Sequence, residues 1–130
     1  MKKVWLFSRV EKFTCNEEIK NVMDKCRNMA LEKGYTIVDE TMVVGSSNLA
    51  KEAIKDIIER NNQANRAECI FSINGNSLAT DLKTAQEIYE YITSNGLEFE
   101  TAHNDINEEN YEFISKEYEV IALLLLFRPQ

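Results

Sequence analysis

Residues 4–17 read VWLFSRVEKFTCNE, and this stretch sets the expectation for the whole fold. Its apolar first half predicts a strand over residues 3–8, because a short hydrophobic run bounded by a polar turn is typical of a buried strand. Thr14 and Glu17 have the spacing of a capping box, in which a threonine oxygen accepts a hydrogen bond from an unpaired N–H at a helix start. The stretch therefore predicts a strand, a polar turn that carries Arg9, and a helix.

Apolar and amphipathic segments alternate regularly after this stretch. The first helix is expected to end at Gly34 in a left-handed conformation. Further strands are predicted at residues 35–40, 67–73 and 97–102, and helices are predicted after the turns VVGSSN (43–48) and NGNS (74–77). The inner stripes of these two helices are Ala50, Ile54, Ile57 and Ile58, and Leu78, Leu82, Ala85, Ile88, Tyr89 and Ile92.

The order βαβαβαβ predicts an α/β fold of three layers, with a mostly parallel sheet of four to five strands and helices on both faces, as in flavodoxin-like architectures. The strand count depends on residues 107–127. A helix is favoured by apolar residues that recur every three or four positions from Tyr111 to Leu125, whereas the uniformly apolar run VIALLLLF (120–127) also suits a fifth strand. Either form must be covered by the sheet or by another subunit.

Length and composition predict a single domain over residues 1–130, since 130 residues with 44% hydrophobic content are enough for one core and no linker is evident. The N-terminus MKKVWLF has an apolar run too short for a signal peptide or a membrane span, so a cytoplasmic protein without membrane association is expected.

Cys15, Cys26 and Cys69 have no disulfide or metal-knuckle spacing and are expected to be buried free thiols. The net charge of −7 argues against non-specific binding to nucleic acid. A chain with this net charge can still carry a local basic patch.

Small polar residues follow the predicted strands, where ligands of parallel sheets bind. The four loops contribute Ser8, Arg9 and Glu11; Gly45, Ser46 and Ser47; Asn74, Gly75, Asn76, Ser77 and Thr80; and His103, Asn104 and Asp105. Two interpretations stay open, because such residues commonly cap helices and also suit an anion at helix N-termini. No phosphate loop and no Gly-x-Gly-x-x-Gly motif is present, and the single histidine does not suggest a metal site.

Four segments together resemble the catalytic domain of serine recombinases, the resolvase and invertase family, across residues 3–106. They are VWLFSRV (4–10), LEKGYTIVDETMVVGSS (31–47), IFSINGNSLATD (70–81) and IYEYITSNGLEFETAHNDI (88–106). In that family the first strand ends in Tyr-Ala-Arg-Val-Ser, the second leads into a Ser-Gly-Ser turn, and the third leads into Asp-Arg-Leu-x-Arg. The resemblance implies a resolvase-like α/β domain.

The resemblance assigns Arg9 the role of holding the scissile DNA phosphate, but it places Glu11 where the serine nucleophile belongs. In the third-strand motif, Asn76 stands for the aspartate, Ser77 for the first arginine and Thr80 for the second arginine. The remaining phosphate or DNA-backbone candidates are Ser8, Ser46 and Ser47. We also expect Arg9 and Glu11 to pair with each other, which would neutralise the phosphate site from within.

These substitutions predict that the chain does not cut DNA by the family mechanism, because attack on a phosphodiester needs a nucleophile and several preorganised positive donors. The first hypothesis is therefore a degenerate recombinase relative that acts through association, either with its own copy or with another recombinase subunit. The alternatives are an active or partner-complemented recombinase, and a module that binds a small phosphorylated ligand. No cofactor is implied, and DNA binding by the chain alone is expected to be weak.

Overall fold

The computed structural model describes residues 2–13, 15–64, 66–73, 77–79 and 81–102. Its elements are β1 (Lys3–Val10), α1 (Asn16–Glu32), β2 (Thr36–Val44), α2 (Ser47–Ala64), β3 (Cys69–Ser72), α3 (Leu82–Ser94) and β4 (Glu98–Thr101). The predicted order βαβαβαβ is confirmed. The interpretation of residues 107–127 as a helix or a fifth strand lies outside the described residues.

The four strands form one parallel sheet in the order β2-β1-β3-β4. β1 is central, since Val4 lies opposite Ile37 of β2 and opposite Cys69 of β3. β2 runs to Val44 and exceeds its predicted length because it pairs with β1 as far as Val10. From β1 the chain first moves to β2 on one side and then returns to β3 on the other. The carboxyl ends of β1 and β3 are therefore the switch point at which sheets of this kind form a crevice.

The predicted three layers are confirmed by the core, because alternate residues of β1 point to opposite faces of the sheet. Val4 and Leu6 pack in one cluster with Cys26 and Ala30 of α1. Trp5 and Phe7 belong to the second cluster, in which side chains of α2 and α3 cover the other face. The predicted α2 stripe lies in this second cluster: Ala50, Ile54, Ile57 and Ile58.

The start of α1 differs from the predicted capping box. The N-cap is Cys15, whose Sγ accepts a hydrogen bond from the N–H of Glu18 at 3.4 Å and whose carbonyl accepts one from Ile19 at 3.2 Å. Thr14 lies outside the described residues. The expectation of a buried thiol is accordingly wrong for Cys15, which is exposed because it precedes the helix, whereas the other two free cysteines are buried. Gly34 follows α1 with φ +80°, as predicted.

The start of α3 lies later in the chain than the turn NGNS suggested. Asp81 is the N-cap, and its carboxylate accepts a hydrogen bond from the N–H of Thr84 at 2.9 Å. A hydrogen bond with the Thr84 side chain, together with this one from its N–H, lowers the pKa of Asp81, because both stabilise the charged carboxylate. Leu78 therefore lies before the helix, although it is still only 2% exposed and packs in the core. The end of α3 at Asn95-Gly96 is confirmed.

A buried asparagine fastens the connection between α2 and β3. The Asn61 side chain donates from Nδ2 to the carbonyl of Ala67 at 2.9 Å and accepts from the N–H of Ala67 at 2.8 Å. Asn61 is 4% exposed, so these two bonds satisfy the polar groups of a residue removed from water.

A buried carboxylate fastens β4 to the beginning of the chain. Glu100 is 1% exposed and accepts hydrogen bonds from the Tyr35 hydroxyl at 2.7 and 2.9 Å. Lys2 Nζ lies 2.9 Å from Glu100 and 2.8 Å from Glu98, and Lys33 Nζ lies 3.4 Å from Glu100. Burial by itself lowers the pKa of Lys2, but the hydrogen bonds to the two glutamates outweigh it and raise that pKa above its ordinary value.

Candidate functional site

The candidate site lies at the carboxyl edge of the sheet, where β1, β2 and β3 end. Ser72 at the end of β3 donates its hydroxyl hydrogen bond to the carbonyl of Phe7 at 2.7 Å. Arg9 lies opposite Val43 of β2. The sheet pairing therefore brings the end of β1 beside the ends of both neighbouring strands.

Arg9 joins the segments that follow all three strands. Its side chain is only 2% exposed, and Nε donates to the carbonyl of Ser77 at 3.2 Å. Nη1 donates to the carbonyl of Gly45 at 3.0 Å. A buried guanidinium needs acceptors for its fixed fork of N–H donors, and two of these acceptors are backbone carbonyls. Arg9 therefore holds the loops after β2 and β3 to the end of β1.

Glu11 forms the ion pair with Arg9 that the sequence suggested. Oε1 of Glu11 lies 2.7 Å from Nη1 of Arg9, and the Glu11 side chain is 55% exposed. The pair thus has one buried and one solvent-facing member. A phosphate beside this carboxylate would meet a repulsion of about 1 kcal/mol at 4 Å in water, and more where water is excluded.

The turn after β2 reaches Arg9 through its backbone. Gly45 has φ +152°, and its N–H donates to the carbonyl of Val10 at 2.8 Å. Ser46 is exposed and its carbonyl accepts a hydrogen bond from the N–H of Ala50 at 3.1 Å, while Ser47 is the first residue of α2. Both serines thus stand at the helix start, and the contact with Arg9 is made by the Gly45 carbonyl.

Ser8 is directed to the α1 face of the sheet. It is 4% exposed and lies beside the thiol of Cys26. Burial raises the pKa of Cys26 to about 11, although a hydrogen bond with Ser8 acts in the opposite direction. Cys26 is therefore a protonated core thiol at neutral pH.

The loop after β3 is represented at the site by Ser77, which is 7% exposed. The other candidates from this loop, Asn76 and Thr80, lie outside the described residues, as does His103 of the fourth loop. Sequence reasoning named Ser77 for its side chain, whereas Arg9 uses its carbonyl oxygen. No side-chain pattern signals a backbone acceptor, so the partners of Arg9 at positions 45 and 77 could not be found from residue types.

Two α1 residues beside the site were also missed. Asn21 and Lys25 line a cleft next to Ser8 and Arg9. They are four residues apart and share one helix face, which is the signal that could have found them.

Within the described ranges, no group of three or more histidine, cysteine, aspartate or glutamate side chains could hold a metal ion. No helix in that part of the chain is long and apolar enough to cross a membrane.

Comparison with solved structures finds the same architecture in three recombinases. A resolvase family site-specific recombinase from Streptococcus pneumoniae superposes with a TM-score of 0.69, at 13% identity, over 98% of this chain and 93% of its own. The N-terminal catalytic domain of TP901-1 integrase gives a TM-score of 0.64, at 15% identity, over 98% of this chain and 100% of its own. The chain has the fold of a serine recombinase catalytic domain.

A third solved structure, also of a serine recombinase, has the same fold. The C-terminal catalytic domain of ISC1926 TnpA, an IS607-like serine recombinase, gives a TM-score of 0.61, at 15% identity, over 96% of this chain and 82% of its own. No protein-family model matches the sequence, and comparison with curated protein sequences finds no match. The resolvase-like fold expected from the four sequence segments is thus confirmed at the level of structure.

Proposed function

We propose that this resolvase-like domain is a catalytically degenerate relative of site-specific DNA recombinases that acts through protein association in DNA recombination. The observation that carries the proposal is the bonding of Arg9. Its guanidinium binds Ser77, Gly45 and Glu11. The sequence resemblance assigns Glu11 to the position of the family nucleophile. Phosphoryl transfer needs an activated nucleophile and donors aimed at the developing charge. The Glu11 carboxylate is not the serine hydroxyl of the family reaction, it supplies no positive donor, and its charge repels a phosphate.

Association is supported by exposed apolar side chains at the carboxyl edge. Phe13 lies between β1 and α1, Val44 ends β2, and Leu49 lies in the first turn of α2; they are 61%, 37% and 52% exposed. Scattered exposed hydrophobic residues are common, but several at one edge suit a contact with protein. The net charge of −7 favours a protein partner over direct binding to DNA by the chain alone. A cytoplasmic location belongs to the same proposal.

The experiment is a tagged pull-down from the native cell, with and without nuclease, together with light scattering on the purified chain. We expect nuclease-resistant recovery of a second copy or of a recombinase subunit. The double variant Phe13→Ser/Leu49→Ser should abolish this recovery. The matched control Leu31→Ser, which removes an equally exposed leucine (55%) at the end of α1, should leave it intact. A monomer that recovers neither partner would contradict the proposal.

A second candidate function is favoured by the likeness to recombinase catalytic domains: an active enzyme in which a partner supplies the missing groups. A covalent protein–DNA adduct, trapped in the mixed complex and carried by this chain, would establish it. The third hypothesis, a phosphorylated ligand held by Arg9, has less support because the guanidinium donates to protein oxygens. That hypothesis would be favoured if phosphate raised the thermal stability of the chain and this effect were lost in an Arg9 variant that still folds.

A further inference from the structure

A cleft of about 400 Å³ opens at the switch point between β1 and β3, on the side covered by α1. Its volume lies within the range of small-molecule sites, about 300–1,000 Å³. The topology makes this crevice, because the chain leaves β1 in one direction and β3 lies on the other side. The cleft shares Arg9 and Ser77 with the candidate site, whereas Glu11 and Gly45, the other two partners of Arg9 described above, do not line it.

The cleft combines aliphatic walls with a buried hydroxyl. Val10, Val22 and Ile73 supply the apolar lining. Ser77, which also lines the cleft, is 7% exposed, and its hydroxyl forms no hydrogen bond with any residue that the structure describes. A hydroxyl that has no protein partner and lines a cleft can donate a hydrogen bond to a ligand. Ser8 also lines the cleft, but its hydroxyl is engaged with Cys26.

One exposed cation, Lys25, lines the cleft. Lys25 of α1 is exposed and, across the described part of the chain, has no carboxylate within ion-pair distance. Arg9 also lines the cleft, but its donors already bind Gly45, Ser77 and Glu11. A single available ammonium suits a singly charged anion, whereas a phosphate dianion calls for several donors.

We propose that this cleft binds a small monocarboxylate with an aliphatic body. Lys25 attracts the carboxylate, the Ser77 hydroxyl donates a hydrogen bond, and the three aliphatic side chains cover the hydrocarbon part. The site does not depend on recombination or on association, and it makes no use of the position of Glu11.

The test is a titration of the isotope-labelled full chain with hexanoate, followed by the amide signals of Val22, Lys25 and Ser77. Hexanamide is the neutral comparison and inorganic phosphate the alternative anion. We expect hexanoate to shift these signals and hexanamide to bind about tenfold more weakly, which corresponds to about 1.4 kcal/mol. Equal binding of hexanamide, preferential binding of phosphate, or unchanged cleft signals would each overturn the proposal.

Two variants locate the binding. Lys25→Gln should weaken hexanoate about tenfold, while Lys20→Gln, an exposed lysine of the same helix that does not line the cleft, should leave it within about twofold. Ser77→Ala keeps the carbonyl that Arg9 needs and should weaken binding about fivefold, the effect of one hydrogen bond. If Lys25→Gln and Lys20→Gln weakened hexanoate binding equally, the binding would lie outside the cleft, which would overturn the proposal.

Discussion

Nη1 of Arg9 donates to Oε1 of Glu11 at 2.7 Å, so the arginine at the end of β1 is bound by a carboxylate only two residues away. The arginine is buried and the glutamate faces water. Glu11 is an exposed acceptor of Arg9, whereas two further acceptors, the carbonyls of Gly45 and Ser77, belong to the backbone. The guanidinium therefore has a structural role, which can be measured apart from any chemistry.

Arg9→Ala should destabilise the fold by at least about 2 kcal/mol, because two backbone carbonyls lose a charged donor at a site with little access to water. Glu11→Ala should cost less than about 1 kcal/mol, since that side chain is half exposed. Urea unfolding followed by the fluorescence of the single, buried tryptophan, Trp5, measures both. Arg60→Ala, which removes an exposed arginine that pairs with Asp56, is the matched control and should change stability little.

Glu11→Ser places a hydroxyl where the family has its nucleophile, and it should not create DNA cleavage. One hydroxyl does not restore the missing donors, each of which contributes about 10²–10³ in rate in comparable sites. The measurement is capture of covalent protein–DNA adducts with the Glu11→Ser chain and with the Glu11→Ala chain as background. Serine-linked adducts found with the first variant alone would show that the site is one substitution from activity.

Asn61→Ala should lower the free energy of unfolding by about 1–3 kcal/mol, because it leaves the N–H and carbonyl of buried Ala67 without their partners. The neighbouring Asn62 is exposed on the same helix, and Asn62→Ala should be neutral or slightly stabilising, since alanine is the better helix former. Denaturant unfolding of the pair gives the comparison. Similar losses in both variants would mean that helix α2, rather than its link to β3, responds to the change.

Asp81 should contribute stability that depends on pH, because its pKa is lowered in the fold by the hydrogen bonds with Thr84. A lowered pKa means that this contribution is present above the unfolded value of about 3.9 and is lost as the pH falls through the folded value. Asp81→Ala should therefore cost about 0.5–2 kcal/mol at neutral pH and less below pH 3. Thermal unfolding at both pH values tests this, with exposed Asp56→Ala as a control whose effect should stay small. A cost that grows in acid would contradict the assignment of Asp81 as a charged cap.

The sequence predicted those parts of the fold that depend on local hydrophobic patterns. The inner stripe of α2 and the strand at Val4 to Phe7 are examples, since their burial follows from periodicity. The length of β2 was underestimated because it depends on pairing with β1, which is a long-range effect. The ion pair between Arg9 and Glu11 could be inferred from their spacing, whereas the carbonyls that complete it could not.

The cluster at Glu100 joins Lys2, just before β1, to the last described strand, β4. Lys2, which precedes β1, contacts Glu98 and Glu100 of β4 at the far edge of the sheet. An edge strand of four residues would ordinarily be the first to detach. Here the release of β4 requires breaking the ion pairs between Lys2 and the two glutamates, so the sheet should unfold as one cooperative unit. A label or a cleavage at residue 2 should therefore change the stability of β4.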